Sequence, residues 1–394
     1  ALILNQFIKP VMIKKKTNLV LVTIVAAQFL CTSLWFAGNA ILSDLAKELE
    51  LSKTALGHIT SAVQFGFIIG TLVYAALMIA DRLSPSLVFF ISAVLGALTN
   101  LGITAGEQNI TSILVLRFLT GFFLAGIYPV GMKIASDHFE KGLGKALGLL
   151  VGALVVGTAF PHLLTSFTVA LPWKTVLMFT SGLCFTGGVL MLLLVSNGPY
   201  RAKGQSLNFT ATFNIFKNTP FRSAAFGYFG HMWELYAFWA FVPVILTTYK
   251  GIHPADNFNT PVLSFSIIAA GGLACVVSGY LSQVFGVKKT AFTALFLSGC
   301  CCIISPLVFH LPAIPFLAFL IFWGLVVIAD SPLFSTLVAQ NAVAQIKGTS
   351  LTMITCIGFS ITIISIELLN YLSGYIDTRF IFLFLAPGPL FGLV

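Results

Sequence analysis

The stretch ITSILVLRFLTGFFLAGIYPVGMK, residues 110–133, decides the fold class of this protein. Between Ile110 and Met132 it holds one charged residue, Arg117, in an otherwise apolar run. About 20 apolar residues in a helix cross the roughly 30 Å hydrocarbon core of a bilayer, because a helix rises about 1.5 Å per residue. The stretch therefore predicts a membrane-spanning helix.

The composition extends this prediction to the whole chain. Of the 394 residues, 58% are hydrophobic and 8% are charged. Soluble domains carry roughly 25% charged residues, so most of the surface of this protein must face lipid. We place twelve spans at residues 18–42, 55–80, 86–106, 110–136, 143–170, 173–196, 221–249, 261–284, 288–310, 312–341, 347–376 and 378–394.

The cations in the loops predict the orientation. With the amino terminus inside, fifteen of the 21 Lys and Arg residues fall in cytoplasmic segments, five fall in external segments, and Arg117 lies within a span. This bias follows the positive-inside rule and explains the net charge of +9 without a nucleic-acid partner. Both termini are expected in the cytoplasm, and a bacterial inner membrane is the expected location.

The longest polar stretch, residues 197–220, predicts a cytoplasmic linker between two six-helix halves, residues 18–196 and 221–394. Residues 1–17 are expected to form a cytoplasmic amino-terminal segment. Residues 1–11 precede Met12, which resembles a native start, and they are expected to lie outside the native chain. The run from Phe380 to Val394 is short for a crossing, so the last helix is expected to continue past Val394.

The two halves repeat one another at an offset of about 203 residues. The matching residues are Trp35 with Trp239, Gly121 with Gly324, and Pro129 with Pro332. Two repeats in the same orientation predict a pseudo-two-fold axis along the membrane normal. A site between the halves could then open to each side of the membrane in turn.

Three segments carry a resemblance to a known family. The segment from Gly279 to Lys289 resembles the loop signature of the major facilitator superfamily, a glycine, an acid–Arg pair, and then a glycine with basic residues. Here Gln283 and Val284 replace the acid–Arg pair, whereas the first half keeps Asp81 and Arg82 but lacks the glycines. Arg117 and Gly121 are similar to the second family signature. Span five resembles the efflux-antiporter signature weakly at Gly148, Gly152, Gly157 and Pro161, since Ala153 stands where that signature has Pro.

The resemblance implies an all-α membrane protein with twelve transmembrane helices in two pseudo-symmetric six-helix bundles. It also implies a central cavity lined chiefly by spans one, four, seven and ten, and rocker-switch transport. A cytoplasmic gate is implied at the loops after spans two and eight. The gate residues would be Asp81, Arg82, Gly279, Gly286 and Lys288.

Ionisable groups at membrane depth are costly and suggest function, and we expect them to face a watery crevice between the bundles. Glu234 is the principal candidate for proton coupling, since it lies near mid-membrane and shares a helical face with His231. The alternative is a permanent pair with a cation. Asp330 lies beside a helix-loosening proline, and Arg117 needs a carboxylate, a substrate or helix-terminal carbonyls as its partner. Further candidates are Glu367, His162, Gln28, Trp35, Tyr128, Trp233, Tyr236 and Trp239.

These observations predict a monomeric secondary active transporter of a small solute, coupled to protons, without cofactor or metal. Arg117 favours a small organic anion or zwitterion, whereas Glu234, Asp330 and the aromatic residues would suit a cationic solute. A proton-driven efflux antiporter for drugs or metabolites and a non-transporting membrane sensor remain as alternatives. An enzyme is not expected, because the sequence shows no nucleophile–base constellation, HExxH motif or nucleotide-binding glycine loop.

Overall fold

A computed structural model describes residues 18–51, 55–139, 143–167, 172–201, 214–343 and 347–394. Within these ranges the regular structure is helical and contains no strand. In the part of the chain that the structure describes, ten helices are long and apolar enough to cross a membrane, and two shorter apolar helices lie at Asn18–Thr32 and Thr378–Gly392. The predicted all-α membrane fold is confirmed, and the count of twelve spans is consistent with it. The predicted segment 1–17 and residues 202–213 of the predicted linker lie outside the described residues.

The helices follow the predicted spans closely. The first half comprises α1 Asn18–Thr32, α2 Ala37–Ala40, α3 Leu42–Glu48, α4 Ala55–Ala76, α5 Ile79–Arg82, α6 Pro85–Gly102, α7 Ile110–Leu124, α8 Tyr128–His138, α9 Leu143–Phe167 and α10 Lys174–Leu194. The second half comprises α11 Thr219–Ile252, α12 Thr260–Phe285, α13 Val287–Val308, α14 Ala313–Ala329, α15 Ser331–Asn341, α16 Lys347–Leu372, α17 Thr378–Ile381, a 3-10 turn at Phe382–Leu385, and α18 Pro387–Gly392.

Spans four and ten are interrupted at equivalent places. Span four is divided between α7 and α8, and span ten between α14 and α15, and each second piece has 11 residues. Pro129 and Pro332 each lie in the first turn of that second piece, where the missing N–H of proline costs no helical hydrogen bond. The prolines matched in the sequence therefore mark the same break in both halves.

The matched glycines make the same contact in both halves. A Cβ atom on Gly121 would collide with the backbone carbonyl of Val63, and a Cβ atom on Gly324 would collide with that of Ile267. Small residues let helix backbones approach within a membrane, where dispersion rather than water exclusion drives helix association. Span four packs on span two as span ten packs on span eight, so the repeat extends to helix packing.

Spans one and seven differ despite their matched tryptophans. Span one is interrupted at residues 33–36, between α1 and α2, whereas α11 runs unbroken for 34 residues and accommodates Pro243. Trp35 lies in the interruption and Trp239 lies within the continuous helix, and both are buried. The interruption leaves carbonyl groups that need partners inside the protein.

Among the described residues, two helix pairs make the most extensive contacts between the halves. Helix α9 packs against α12, and α4 packs against α16. At the first contact a Cβ atom on Gly152 would lie 3.1 Å from the carbonyl oxygen of Gly272, and the reverse distance is also 3.1 Å. Large apolar side chains point away from this interface, including Leu193, Leu273 and Ile314 at 73%, 72% and 83% exposure. Such side chains belong against lipid.

Substitution of Gly121 tests the close packing of spans two and four. We expect Gly121→Ala to destabilise the folded protein by about 1–3 kcal/mol, because the added methyl group meets backbone rather than a movable side chain. Gly148→Ala is the matched control, since a Cβ atom there meets nothing within 4 Å. Thermal unfolding of the purified protein in detergent measures both, and equal melting temperatures for the two variants would contradict the assignment.

Candidate functional site

A cavity of about 560 Å³ lies between the two halves, where spans one, five and seven end and spans two and eight begin. We call it the interface cavity. Residues of spans one, two, five, seven and eight line it. The expected lining consisted of spans one, four, seven and ten, so spans four and ten are replaced by spans two, five and eight. Its polar lining residues are Asn39, Ser43, His162, Thr165, Thr247, Thr248, Thr260 and Ser264.

Three polar atoms of the interface cavity have no hydrogen-bond partner among the described residues. They are Oδ1 of Asn39, Nε2 of His162 and Oγ of Ser264. The three side chains are at most 8% exposed, whereas the amide of Asn39 donates to Thr60 Oγ1 at 2.7 Å. Buried polar groups in proteins are almost always paired, so these three groups are suited to binding a polar molecule.

Aromatic side chains fill the space one helical turn deeper along spans one and seven. We call this group the central aromatic cluster, and it consists of Trp35, Phe36, Phe67, Tyr236, Trp239 and Phe359. Trp35 stacks on Tyr236 at 5.7 Å between ring centroids, and Tyr236 lies 5.2 Å from Phe359. The cluster joins the two halves one helical turn below the residues that line the interface cavity. The predicted candidates Trp35, Tyr236 and Trp239 are thus brought together.

The indole nitrogens in this cluster also lack partners. Neither Nε1 of Trp35 nor Nε1 of Trp239 has an acceptor within the described ranges. An indole N–H donates only, and a buried one usually finds an acceptor. These two donors, one from each half, could therefore serve a solute that enters between the bundles.

His231 and Asp330 form a buried pair inside the second half. Nδ1 of His231 on α11 lies 2.8 Å from Oδ1 of Asp330, and both side chains are 1% exposed. Asp330 lies at the junction of α14 and α15, so the break in span ten places its carboxyl group at membrane depth. Moving one proton within the pair converts an ion pair into a neutral pair.

Glu234 lies one helical turn from His231 in a different environment. Its Oε1 accepts hydrogen bonds from Ser298 Oγ and Trp323 Nε1, both at 2.6 Å. These partners are uncharged, and the salt bridges of the described residues include none to Glu234. The permanent pairing with a cation that the sequence left open is therefore not observed.

Arg117 bridges span four to the interruption in span one. Its Nη2 donates to the carbonyl of Trp35 at 2.5 Å, and its Nη1 donates to the carbonyl of Leu34 at 3.1 Å and to Asn100 Oδ1 at 3.2 Å. These carbonyls follow the end of α1, where helix dipoles leave partial negative charge. Of the three partners considered from the sequence, helix-terminal carbonyls are the ones found.

The charged side chains at membrane depth do not face the predicted crevice between the bundles. Arg117, Glu234 and Asp330 are at most 1% exposed, and none of them lines the interface cavity. The expectation that they face water between the bundles is corrected, because each lies against a partner within its own half: carbonyl groups for Arg117, Ser298 and Trp323 for Glu234, and His231 for Asp330. A role for these side chains in coupling or solute binding therefore requires a conformational change that exposes them.

Glu367 joins the two halves near the interface cavity. Its Oε1 accepts from Ser61 Oγ at 2.7 Å and lies 3.3 Å from His58 Nδ1. Glu367 belongs to α16, whereas Ser61 and His58 belong to α4. The side chain of Glu367 is 34% exposed, so water reaches this pair.

The other predicted candidates are dispersed. Gln28 is fully buried, and neither atom of its amide has a partner among the described residues. Tyr128 begins α8 and lies near Tyr228 and Tyr236 across the interface between the halves. Trp233 points away from the interface and donates to the carbonyl of Phe384 at 2.9 Å.

The predicted gate residues lie at the opposite end of the bundle from the interface cavity. Asp81 pairs with Lys133 at 2.9 Å, and Lys133 also lies 3.5 Å from Asp137, so this cluster joins spans two and four within the first half. The remaining gate residues, Arg82, Gly279, Gly286 and Lys288, lie in or beside the loops after spans two and eight. Gly286 has φ of 87°, a left-handed conformation that glycine adopts without strain.

Sequence reasoning missed most of the interface cavity. His162 was recognised as an intramembrane histidine, but Asn39 and Ser264 carry no motif and lie in different halves. Scattered hydroxyl and amide groups in apolar helices commonly bond their own helix, as Thr247 does at 2.7 Å to the carbonyl of Pro243. A polar residue that lacks such a local partner is revealed only by the structure.

Comparisons with known proteins agree with this architecture. The family model for the Major Facilitator Superfamily matches residues 24–366. The protein named as galactarate/D-glucarate transporter GudP from Escherichia coli (strain K12) is 27% identical over 182 residues, 43% of this chain and 40% of that protein. The protein named as niacin/nicotinamide transporter NiaP from Bacillus subtilis (strain 168) is 26% identical over 164 residues, 41% of this chain and 40% of that protein. The matched segments thus span about two fifths of each relative's length.

Two solved structures share the fold. A bacterial homologue of the human lysosomal transporter Spinster, in an inward-facing and unoccupied conformation, matches with a TM-score of 0.68 and 14% identity, covering 91% of this chain and 83% of that one. A variant of the nucleoside transporter NupG matches with a TM-score of 0.71 and 15% identity, covering 95% of this chain and 98% of that one.

Replacing Arg117 tests its role at the interruption of span one. We expect Arg117→Met to destabilise the protein strongly, because each buried carbonyl or amide oxygen left unpaired costs about 1–3 kcal/mol. Arg117→Lys should recover only part of the loss, since one ammonium cannot reproduce the guanidinium fork. Thermal unfolding in detergent measures the effect, with exposed Arg82→Met as the control. An unchanged melting temperature for Arg117→Met would show that the bridge is dispensable.

Proposed function

The chain belongs to the major facilitator superfamily, and from this premise we propose that it is a secondary active transporter of a small organic solute. The observation that carries the proposal is the interface cavity, which both halves line and below which the central aromatic cluster joins them. A solute held there could pass on only if the halves separate below it. That requirement is the physical basis of alternating access.

The loop cations support an orientation for this state. With both termini in the cytoplasm, the interface cavity lies on the external side and the Asp81–Lys133 pair lies on the cytoplasmic side. The cavity would then admit solute from outside, as an importer requires. A bacterial inner membrane suits this arrangement. We also propose that residues 197–220 form the cytoplasmic linker between the two six-helix halves.

We further propose that transport is coupled to protons through the second half. The His231–Asp330 pair is buried and makes no salt bridge to a Lys or Arg among the described residues, and the ring of His231 lies 6.1 Å from that of Tyr228 at the interface. Separation of the halves would expose Tyr228 and change the surroundings of the pair. A buried carboxyl–imidazole pair whose access to water alternates can take up a proton on one side and release it on the other.

The contacts of Arg117 bear on the choice of solute. The sequence favoured a small organic anion or zwitterion because this guanidinium lies at membrane depth. Its fork is engaged with the carbonyls of Leu34 and Trp35, so it offers little support for an anionic solute. The sequence relatives are named for sugar diacids and for niacin or nicotinamide, and one fold neighbour is named for nucleosides. These compounds form the panel that the counterflow assay tests.

Counterflow tests the carrier function. Proteoliposomes loaded with unlabelled nicotinamide, uridine or galactarate should accumulate the same labelled compound transiently, for at least one of the three. Only a carrier that binds solute alternately on the two sides produces this exchange without a driving gradient. A sensor would show no exchange, and a channel would equilibrate the label without an overshoot.

Asp330→Asn tests the proposed coupling pair. The asparagine side chain has the same shape but cannot take up a proton at neutral pH, so we expect counterflow to persist while pH-gradient-driven accumulation falls at least about tenfold. The gradient is imposed in both directions, which covers symport and antiport. His231→Gln should have the same effect. Driven accumulation at the wild-type level in both variants would reject the coupling role.

Glu234→Gln tests whether Glu234 is a second proton-coupling group or only a structural hydrogen-bond acceptor. Gln keeps an oxygen for Ser298 and Trp323 but removes the exchangeable proton, so we expect driven accumulation to be lost and counterflow to be partly retained. Ser298→Ala serves as the control, because it removes one hydrogen bond and leaves the carboxyl group. If Glu234→Gln accumulates solute as the wild type does, the carboxyl group is only a structural acceptor.

A further inference from the structure

The polar chemistry of the interface cavity is neutral. Hydroxyl, amide and imidazole groups supply it from both halves, and the lining found among the described residues includes no Asp, Glu, Lys or Arg. Asn39, His162 and Thr165 come from the first half, and Thr247 and Ser264 come from the second. A molecule between them would be recognised by dipoles rather than by a counter-charge.

The unpaired groups of this lining point to a bound polar molecule. Oδ1 of Asn39 is an acceptor, Oγ of Ser264 can donate or accept, and Nε2 of His162 donates or accepts according to its tautomer. Each of these side chains is more than nine-tenths buried and none of the three atoms has a partner within the described ranges. Together they can satisfy donors and acceptors presented by one small molecule from two sides.

From these groups we infer that the interface cavity binds an uncharged solute that carries several hydrogen-bonding groups. The inference rests on the proposed carrier function, because it takes the cavity as the place where solute enters. A charged solute would lose its hydration without gaining a counter-charge, and burying an unpaired charge is strongly unfavourable. A neutral solute with hydroxyl, amide or ring nitrogen groups loses less on leaving water and can replace those bonds. Carboxamide-bearing heterocycles, nucleosides and polyols belong to this class.

The size of the cavity and its apolar residues narrow the class. A volume of about 560 Å³ exceeds that of a single-ring molecule and falls in the range of small-ligand sites. Leu51, Leu56, Pro243 and Val244 supply apolar surface beside the polar groups. A solute with a flat ring and polar substituents would contact both kinds of lining at once.

Matched pairs of compounds test this inference by binding alone. Thermal unfolding of the full chain in detergent is followed with nicotinamide against nicotinate, uridine against uridine 5′-monophosphate, and galactitol against galactarate. In each pair one member is neutral and its partner is an anion at neutral pH. We expect at least one neutral member to raise the melting temperature and to bind about tenfold more tightly than its anionic partner. No shift with all three neutral members would overturn the inference, and so would an anionic partner of equal or higher affinity for every neutral member that binds.

Variants of the lining identify the groups responsible. His162→Leu and Ser264→Ala each remove an unpaired polar atom and should weaken binding of the neutral compound about tenfold. Ser266→Ala is the matched control, because the Ser266 hydroxyl on the same helix as Ser264 donates to the carbonyl of Val262 at 2.9 Å and does not line the interface cavity, so the affinity of this variant should stay near that of the wild type. Wild-type affinity in Ser264→Ala would refute the assignment, and this small change decides the question if His162→Leu does not fold.

The outcome is separable from that of the carrier proposal. Binding of a neutral compound without counterflow would reject transport and keep the site. Counterflow together with a preference for the anionic member would keep transport and reject the inferred solute class.

Discussion

The hydrocarbon core of a membrane offers no hydrogen-bond partners, and this constraint governs the structure wherever a helix is interrupted. The interruption in span one exposes the carbonyls of Leu34 and Trp35, and Arg117 reaches both from span four. The same guanidinium binds Asn100 of span three, so one side chain ties three spans together. Without these bonds, the backbone around Trp35 would have to bury unpaired polar groups at membrane depth.

The position of Trp35 depends on that bridge. Its ring contacts Tyr236 and Phe359 of the second half, so the polar anchor of the first half also sets the contact between the halves. In span ten the break places Asp330 against His231 within the second half. Interrupted spans thus serve two purposes in this fold, supporting an aromatic contact in one half and a titratable pair in the other.

The contacts between the halves differ in chemistry along the membrane normal. Around the interface cavity they are polar and partly exposed, as in the Glu367–His58 pair, whereas one turn deeper they are aromatic and buried. Between α9 and α12 the halves are in close backbone contact at Gly152 and Gly272. Polar contacts can exchange with water and small-residue contacts can slide, so this combination suits halves that move as rigid bodies. The aromatic contacts are the ones that a passing solute would have to replace.

Much of the fold was predictable from the sequence, because a helix in lipid must be long, apolar and internally hydrogen-bonded. Those requirements leave a local signal, and the predicted spans match the helices to within a few residues at most ends. The repeated glycines and prolines likewise marked where spans four and ten break and pack. The predicted candidates Trp35, Tyr236 and Trp239 do meet in one cluster, since matched positions in a repeated fold return to the same axis.

The partners of the charged groups were decided by the tertiary structure. The sequence placed Arg117, Glu234 and Asp330 at membrane depth but could not show that the first binds carbonyls, the second binds a serine and a tryptophan, and the third binds a histidine. It also gave no sign that Asn39, His162 and Ser264 share a cavity. Depth and helical face follow from local spacing, whereas a contact between distant helices depends on how all the helices pack, and no local pattern records that.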